Sequence, residues 1–269
     1  MNVALQTREV EKPWGKDELP PPFTTPPGKR IGEVWFEPPP ELPQLLVKYI
    51  FTSEALSIQV HPDDAQAEAA GKGRQGKDEC WTIVHAEPGA NLGIGFIRAA
   101  SPEEMRAAAL DGSIEQLMRW YPVAAGDFFY IPANTVHAIG AGVSLIEVQQ
   151  NSDITYRLYD YGRPRELHLD QGMRVARGEP YDERYRVKLP ASGAVELVEG
   201  PKFRLDRLCG APEAEIAARY HGPLLVIPLD GTLRVDGVAI EPGGCGLAPD
   251  IAGVEARAAA AWLAAQPCA

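Results

Sequence analysis

The stretch that decides the fold is Gly126-Asp127-Phe128-Phe129-Tyr130-Ile131-Pro132-Ala133-Asn134-Thr135-Val136-His137. Gly126-Asp127 opens a strand that we predict over residues 128–131, because aromatic and β-branched residues fill it. Asn134 tolerates positive φ and fits a turn ahead of His137. The segment therefore has the spacing Gly-x5-Pro-x4-His, in which a turn follows a strand and leads to a histidine.

This spacing occurs a second time near the C-terminus. The second copy is Gly243-x5-Pro249-x4-Val254, with valine where the first copy has His137. Two β units with related patterns indicate an internal repeat. We predict that the second unit has lost a functional histidine and is structural.

Other β-prone runs lie around both copies. Residues 45–51 and 55–61 are predicted to be adjacent strands joined by residues 52–54. Further strands are predicted over residues 80–84, 143–149, 194–198, 203–209, 224–229, 233–235 and 238–240. We expect a mainly β protein made of two β units, residues 1–190 and 191–269, of which the second is degenerate.

Helices are predicted in few places. Ser101 is a helix N-cap signal followed by Pro102 at the first helical position and Glu104 at the third, so residues 101–120 read as a small helical insertion. Asp111-Gly112 is expected to divide it into two helices. Residues 162–190 read as a connector with a short amphipathic segment, and the alanine-rich C-terminal end is the remaining helix candidate.

Four separated polar residues predict one divalent metal site: Gln59, His61, Glu79 and His137. Successive side chains of a strand alternate between faces, so Gln59 and His61 point the same way and can share an ion. Two imidazoles, a carboxylate and an amide oxygen suit Zn²⁺ or a neighbouring transition metal and leave room for water or substrate. An open coordination position predicts catalysis rather than a structural role.

Composition excludes several classes of protein. The 269 residues are 45% hydrophobic and 23% charged, which is typical of a soluble globular chain. The net charge of -11 argues against nucleic-acid or anionic-membrane partners. The chain has neither an apolar stretch of membrane-spanning length nor a signal-peptide pattern at its start, so we expect a cytoplasmic protein. The four cysteines have no C-x-x-C spacing and are expected to be buried or incidental thiols.

Gly-x5-Pro-x4-His is the second motif of cupin barrels, and this resemblance implies that the two units are cupin-like β-barrel or jelly-roll units. The usual first motif, His-x-His with a nearby glutamate, is replaced here by Gln59-x-His61 and a more distant Glu79. With this replacement the chain resembles type I phosphomannose isomerases, in particular the short bacterial form. The resemblance covers roughly the first two thirds of the chain and is carried by Ser57-Ile58-Gln59-Val60-His61-Pro62-Asp63-Asp64, Gly76-Lys77-Asp78-Glu79-Cys80-Trp81, Tyr130-Ile131-Pro132-Ala133-Asn134-Thr135-Val136-His137 and Gln149-Gln150-Asn151-Ser152-Asp153-Ile154-Thr155-Tyr156-Arg157.

The resemblance implies that Gln59, His61, Glu79 and His137 bind one Zn²⁺ per chain. It also implies a pocket beside the metal formed by Lys48, Ser57, Lys77, Glu147 and Arg157. Lys48 and Ser57 are expected to bind the phosphate or hydroxyl groups of a small phosphosugar.

The implied reaction interconverts mannose 6-phosphate and fructose 6-phosphate through a cis-enediol(ate). Lys77 and Glu147 are both candidates for moving the proton, and Arg157 fits stabilisation of the enediolate or a grip on phosphate. We also expect Arg157 to be the partner of the buried Glu147 carboxylate. Arg163 and Arg165 are equally compatible with the pocket mouth and with an ordinary surface.

Other interpretations stay open at this point. A non-catalytic metal-holding cupin that binds sugars or regulates would be expected to lose Lys77 or Arg157, which this chain keeps. A redox cupin usually has a histidine-rich iron site, to which Gln59 is a poor match. An isomerase of a related phosphosugar is hardly distinguishable by sequence, and both a monomer and a homodimer are compatible with it.

Overall fold

A computed structural model describes residues 3–268 and is mainly β. The strands are β1 (Thr7–Lys16), β2 (Ile31–Phe36), β3 (Leu45–Phe51), β4 (Ile58–Val60), β5 (Glu79–Ala86), β6 (Asn91–Phe96), β7 (Met118–Pro122), β8 (Asp127–Ile131), β9 (His137–Ile139), β10 (Val143–Gln150), β11 (Tyr156–Tyr159), β12 (Arg186–Lys188), β13 (Val195–Glu199), β14 (Phe203–Cys209), β15 (Leu224–Asp230), β16 (Leu233–Val235), β17 (Val238–Ile240), β18 (Gly246–Ala248), β19 (Val254–Ala256) and β20 (Ala261–Pro267). The α-helices are α1 (Asp64–Ala69), α2 (Pro102–Asp111), α3 (Ile114–Leu117), α4 (Leu169–Val175) and α5 (Ala214–Ala217). No helix within residues 3–268 is long and apolar enough to cross a membrane.

The strands form four antiparallel sheets. The first sheet has the order β1-β2-β3-β10-β5-β8-β12, and the second has the order β11-β4-β9-β6-β7. The third sheet is β13-β14-β20-β15-β18, and the fourth is β17-β16-β19. The predicted mainly β class is therefore confirmed.

The sheets stack as layers, with the first sheet in the interior. Trp81 and Leu145 of the first sheet pack against Leu92 and Ile139 of the second, which forms the core of the first unit. The opposite face of the first sheet packs on the third sheet, and the fourth sheet covers the far side of the third. Helices α2, α3 and α4 cover the outer face of the second sheet.

Burial on both faces explains the composition of the central strands. Every residue of β3 and β10 is buried, including Lys48 and Glu147. Tyr49 and Ile146 point towards the third sheet, whereas Ile50 and Leu145 point towards the second. Burying a large apolar side chain contributes about 1.5–3 kcal/mol, so an apolar run on both faces favours this interior position.

The helical insertion forms much as predicted. Ser101 Oγ accepts a hydrogen bond from the Glu104 amide, and Gly112, with φ of 85°, ends α2 in the left-handed region. The predicted extension towards Trp120 is wrong, because α3 ends at Leu117 and β7 follows directly. Strand β7 pairs with β6 at the edge of the second sheet. As a helix, this segment would lose its backbone hydrogen bonds to β6.

Two further predictions are wrong in detail. Residues 45–51 and 55–61 are not adjacent strands, because β3 lies in the first sheet and the short β4 in the second. The segment between them crosses from one sheet to the other, and Thr52 Oγ1 anchors it by donating to the Gly140 carbonyl at 2.8 Å. The alanine-rich end is not a helix but β20, which pairs with β14 on one side and with β15 on the other, so its backbone hydrogen bonds are made to sheet partners.

The second unit keeps the spacing of the first. His137 begins β9 after strand β8, and Val254 begins β19 after strand β18. Val254 is buried among apolar side chains of the second unit. The predicted boundary near residue 191 falls between β12 of the first sheet and β13 of the third, but these sheets share a core, so the division into two domains stays a prediction.

Candidate active site

The candidate metal ligands come together between the first and second sheets. Gln59 in β4 lies directly opposite His137 at the start of β9, and both belong to the second sheet. His61 follows β4, and Glu79 begins β5 of the first sheet on the other side. Paired strands of one sheet and a facing strand of the other thus bring the four residues to one place.

His61, Glu79 and His137 form a compact group of possible ligand atoms. Their nearest nitrogen and oxygen atoms all lie within 4.8 Å of one another, and all three side chains are buried. His137 Nε2 is 3.2 Å from Glu79 Oε1, and His61 Nε2 is 3.7 Å from Glu79 Oε2. This spacing fits one cation bound between the three groups.

Backbone carbonyls orient both imidazoles. His61 Nδ1 donates to the Ile154 carbonyl at 2.8 Å, and His137 Nδ1 donates to the Thr135 carbonyl at 2.9 Å. Each ring therefore directs an unprotonated Nε2 at Glu79, which is the arrangement that hydrogen-bond partners impose on metal-binding histidines. Burial lowers the pKa of His137 to about 4 and holds the pKa of His61 well below its usual value, so both rings are neutral ligands near pH 7.

The Glu79 carboxylate is the strongest indication that a cation fits here. It is fully buried, and its Oε1 accepts no hydrogen bond from any group in residues 3–268, whereas Oε2 lies 2.6 Å from the Lys77 ammonium. Burial first, and then the nearby Glu147, raise the pKa of Glu79 above its ordinary value, although the Lys77 ammonium 2.6 Å away opposes them. A divalent cation between the histidines would supply the missing partners.

Gln59, the fourth predicted ligand, lies next to His137. Its Nε2 donates to His137 Nε2 at 3.3 Å, and its Oε1 accepts from Ser57 Oγ at 3.3 Å. A 180° turn of the amide leaves the shape of the side chain unchanged and brings Oε1 to the position next to His137. An amide oxygen there can serve as a ligand to a metal ion.

A polar cavity of about 260 Å³ opens beside this group. Its lining includes all five residues of the predicted pocket, namely Lys48, Ser57, Lys77, Glu147 and Arg157, together with the amide of Gln59. The predicted pocket residues are therefore adjacent in space, and their individual roles stay predictions.

Buried charges are paired at the floor of this cavity. Lys48 Nζ lies 2.9 Å from Glu147 Oε1, and Lys77 Nζ lies 3.5 Å from the same oxygen. Trp81 Nε1 donates to Glu147 Oε2 at 2.9 Å. Burial alone would raise the pKa of Glu147, but the two lysines and Trp81 lower it. Burial alone would lower the pKa of Lys48, but Glu147 and Glu33 raise it. The carboxylate and the Lys48 ammonium are both charged at neutral pH.

Arg157 is not the partner of Glu147, contrary to our expectation. Its Nη1 donates to the Glu166 carbonyl at 2.8 Å, on the opposite side of the cavity. The expectation failed because register in the first sheet places Lys48 directly opposite Glu147. Arg165 lines the cavity and pairs with Asp160, whereas Arg163 binds the Ala55 carbonyl and does not line it.

Several residues of the cavity were not predicted. Lys12 and Glu33 form an ion pair at 3.2 Å on its wall, and Trp14, Asp153 and Thr155 also line it. Glu33 offered a signal, because it is a charged residue within the apolar run of β2. The three remaining histidines, His85, His168 and His221, are not part of the metal-binding group.

The fold is similar to those of solved phosphomannose isomerases. The structure of mannose 6-phosphate isomerase from Bacillus subtilis superimposes on this chain with a TM-score of 0.74 at 23% identity. The superposition covers 98% of this chain and 99% of that one. A variant of the phosphomannose isomerase from Salmonella typhimurium gives a TM-score of 0.73 at 14% identity over 99% of both chains. These similarities establish the fold.

Sequence similarity leads to the same proteins. The chain is 38% identical over 201 residues to mannose-6-phosphate isomerase from Streptococcus mutans, covering 71% of this chain and 62% of that protein. It is 42% identical over 149 residues to mannose-6-phosphate isomerase ManA from Bacillus subtilis, covering 53% and 47%. The matched part thus spans about half to three fifths of these relatives. No family model matches the chain. The resemblance to mannose-6-phosphate isomerases is confirmed in sequence and in fold.

Proposed function

We propose that this protein is a zinc-dependent mannose-6-phosphate isomerase that interconverts mannose 6-phosphate and fructose 6-phosphate. The observation that carries the proposal is the buried group of His61, Glu79 and His137 next to a cavity with paired buried lysines and carboxylates. Relatives named for this activity support it.

Gln59, His61, Glu79 and His137 would hold the ion. Two neutral imidazoles, a carboxylate and an amide oxygen favour Zn²⁺ among common divalent ions, although other transition metals accept the same set. When bound, the ion would supply Lewis-acid stabilisation for negative charge that develops on the sugar oxygens. Lys77 and Lys48, which both line the cavity, would lie near that charge.

Lys77 is the better candidate for moving the proton between the two sugar carbons. Both Glu147 oxygens are already engaged, one by Lys48 and the other by Trp81. Lys77 Nζ is also engaged, but it lies next to the candidate metal ligands, 2.6 Å from Glu79 Oε2 and 3.2 Å from His61 Nε2. We therefore assign Glu147 to holding the two lysines in place and Lys77 to proton transfer.

The cavity wall suits an anionic substrate even though the whole chain is acidic. Lys12, Lys48, Lys77, Arg157 and Arg165 all line it. Arg157 presents a fixed fork of donors, and its buried Nε has no hydrogen-bond partner within the described residues. We assign Arg157 to the phosphate or the enediolate, and Lys48 and Ser57 to substrate phosphate or hydroxyl groups.

A substrate panel tests this proposal. The purified protein, loaded with Zn²⁺, is assayed for isomerisation of mannose 6-phosphate, glucose 6-phosphate and unphosphorylated mannose. We expect turnover of mannose 6-phosphate at the highest kcat/KM and little turnover of free mannose. A higher kcat/KM for another phosphosugar would change the proposed substrate to that sugar. No turnover of any of them would support a non-catalytic binding protein. The cytoplasmic location and a monomeric or homodimeric state stay predictions.

A further inference from the structure

A polar network connects the second β unit to the metal-binding strands. Its centre is Asp64, the first residue of α1, three positions after His61. Asp64 Oδ2 accepts from Lys202 Nζ at 2.5 Å, and Asp64 Oδ1 accepts from the Gly76 amide at 2.7 Å and from Gln150 Nε2 at 2.9 Å. Lys202 comes from the turn between β13 and β14 of the third sheet.

The network continues to the backbone of Asp78. Gln150 Oε1 accepts from the Asp78 amide at 3.0 Å, and the Asp78 carbonyl accepts from the Gln150 amide at 3.0 Å. Asp78 lies between Lys77 and Glu79 in the sequence. The position of the Asp64 carboxylate therefore fixes the backbone of the segment that carries both of these side chains.

This segment is packed too tightly to move independently of Asp64. A Cβ added to Gly76 would lie 2.3 Å from the Asp63 carbonyl carbon and 2.4 Å from the Pro62 carbonyl oxygen. The Lys77 amide donates to the same Pro62 carbonyl at 3.0 Å. Since Pro62 directly follows His61, a shift of either chain segment changes the distance between His61 and Glu79.

A second set of contacts, which the first unit supplies, reaches the Asp78 side chain and leads on to the second unit. Asp78 Oδ2 accepts from Tyr130 Oη at 2.7 Å, and Asp78 Oδ1 accepts from the Ala133 amide at 2.7 Å. The Tyr130 ring packs edge-on against Phe203, the residue after Lys202, with 6.2 Å between ring centroids. The turn at Lys202 thus touches the metal-binding region through two independent routes.

We propose that Lys202 is a positioning residue of the metal centre and acts through Asp64. Its ammonium group holds the Asp64 carboxylate in the orientation that fixes residues 76–79 against residues 61–63. The second unit then has a specific role, because one of its turns keeps Glu79 at metal-binding distance from the two histidines. The inference rests on the metal site of the proposed function and does not depend on the reaction.

The test measures metal release from the full-length protein. Protein loaded with Zn²⁺ is mixed with excess chelator, and the rate of zinc transfer is followed for the parent and for Lys202→Met, Lys202→Arg, Asp64→Asn and the Lys202→Met/Asp64→Asn double variant. Residues that contact a metal ligand typically change metal affinity by 10–100-fold, and Lys202 is further away. We therefore expect release from Lys202→Met to be roughly 3- to 10-fold faster, with largely parental release from Lys202→Arg.

The double variant shows whether Lys202 acts through Asp64. If it does, Lys202→Met accelerates release much less in the Asp64→Asn background than in the parent. Lys29→Met is the matched control, because it removes a surface pair with Glu11 of similar length, 2.7 Å, away from the site. Its release rate should equal that of the parent.

Three results would overturn the proposal. They are parental release from folded Lys202→Met, equal acceleration in both backgrounds, and acceleration that Lys202→Arg does not reverse. If Lys202→Met does not fold, the Asp64→Asn variant tests the proposal by itself. Zinc release from Asp64→Asn must then be faster than from the parent, and release at the parental rate would overturn the proposal. Co²⁺-loaded protein gives an independent signature, since a displaced Glu79 changes the visible absorption of the ion. Inactivity of the parent would count against the isomerase and leave these metal measurements interpretable.

Discussion

Glu79 shows at the scale of one residue why this site requires a cation. The side chain is fully buried, and its Oε1 accepts no hydrogen bond within the part of the chain that the structure describes. Removing an ionised carboxylate from water is costly unless charge and hydrogen bonds compensate it. Lys77 offsets part of this cost at 2.6 Å, and a divalent ion between His61 and His137 would offset the rest.

His137→Ala tests the ligand assignment. The change removes one of two neutral imidazoles whose Nε2 faces Glu79, so we expect the zinc content of the purified protein to fall close to zero. The second unit lies on the other side of the first sheet and should stay folded, with a near-parental far-ultraviolet circular dichroism spectrum. Elemental analysis measures the metal, and zinc content equal to that of the parent would refute the assignment.

Lys77→Met tests the proton-transfer role. Positioned acids and bases typically contribute about 10²–10⁴-fold, so we expect kcat to fall by roughly that factor with zinc restored to full occupancy. Exchange of the substrate C2 proton with deuterated solvent should slow in parallel. Loss of isomerisation in Glu147→Gln with full activity in Lys77→Met would reverse the two assignments.

The residues of the site could be predicted from the sequence more fully than their partners. His61, Glu79 and His137 stand in recognisable spacings, and Lys48 and Glu147 are charges within apolar runs. The ion pair between Lys48 and Glu147 depends on the register of β3 and β10, which residue patterns do not define. For the same reason Lys12 and Asp153 were not predicted, since each lies on a segment whose place in the fold depends on distant contacts.

At the scale of elements, the segment around Gly76 connects α1 to β5 and carries Lys77. Gly76 lies against the Pro62 and Asp63 backbone with no room for a side chain. Backbone atoms cannot give way as a flexible side chain can. The path of this segment therefore requires glycine for a close approach rather than for a special backbone angle.

Gly76→Ala should displace this segment and weaken the metal site. Overpacking of this kind typically costs about 1–3 kcal/mol, and we expect a loss of that size in the free energy of unfolding, measured by urea denaturation of metal-free protein. Gly253→Ala is the control, because an added Cβ there meets nothing within 4 Å, and its effect should stay within about 0.5 kcal/mol. A Gly76→Ala variant as stable as the control would show that the segment can shift to accommodate the added methyl group.

Strands were predictable where their pattern is long and local. Residues 45–51, 203–209 and 233–235 match β3, β14 and β16. The sequence of β7 and of β20 favours helix instead, because their composition is ambiguous and their sheet partners decide the outcome. The assignment of β3 and β4 to different sheets likewise depends on tertiary contacts and not on the residues between them.

At the scale of the whole molecule, the first sheet is the shared layer of both units. One face contributes to the candidate site and the other packs on the third sheet. The ion pair between Lys202 and Asp64 is a polar connection across the same boundary. Stability and metal binding should therefore depend on the second unit even though it contributes no ligand.

The contribution of Asp64 to stability should depend on pH. Burial is the largest single effect and raises its pKa, but the hydrogen bonds from Lys202, Gln150 and Gly76 together outweigh burial and lower the pKa below the ordinary value of 3.8. A carboxyl with a lowered folded pKa stabilises the fold above the unfolded pKa and loses that contribution as pH falls through the folded pKa. The stability difference between the parent and Asp64→Asn should thus be full at neutral pH and shrink below about pH 4.

Urea denaturation of metal-free protein at a series of pH values checks this expectation. Removing the metal first ensures that proton competition at the histidines does not contribute. A difference between the two proteins that stays constant from neutral pH down to about pH 3 would contradict a stabilising ion pair at Asp64.

The central claim is tested most directly by one activity measurement on the same protein in three states: as purified, after complete chelation, and after Zn²⁺ is added back. Conversion of mannose 6-phosphate to fructose 6-phosphate is followed in a coupled assay. We expect activity to disappear with the metal and to return with Zn²⁺. No activity in fully metallated protein would contradict the isomerase assignment, and activity unaffected by complete chelation would contradict the metal centre.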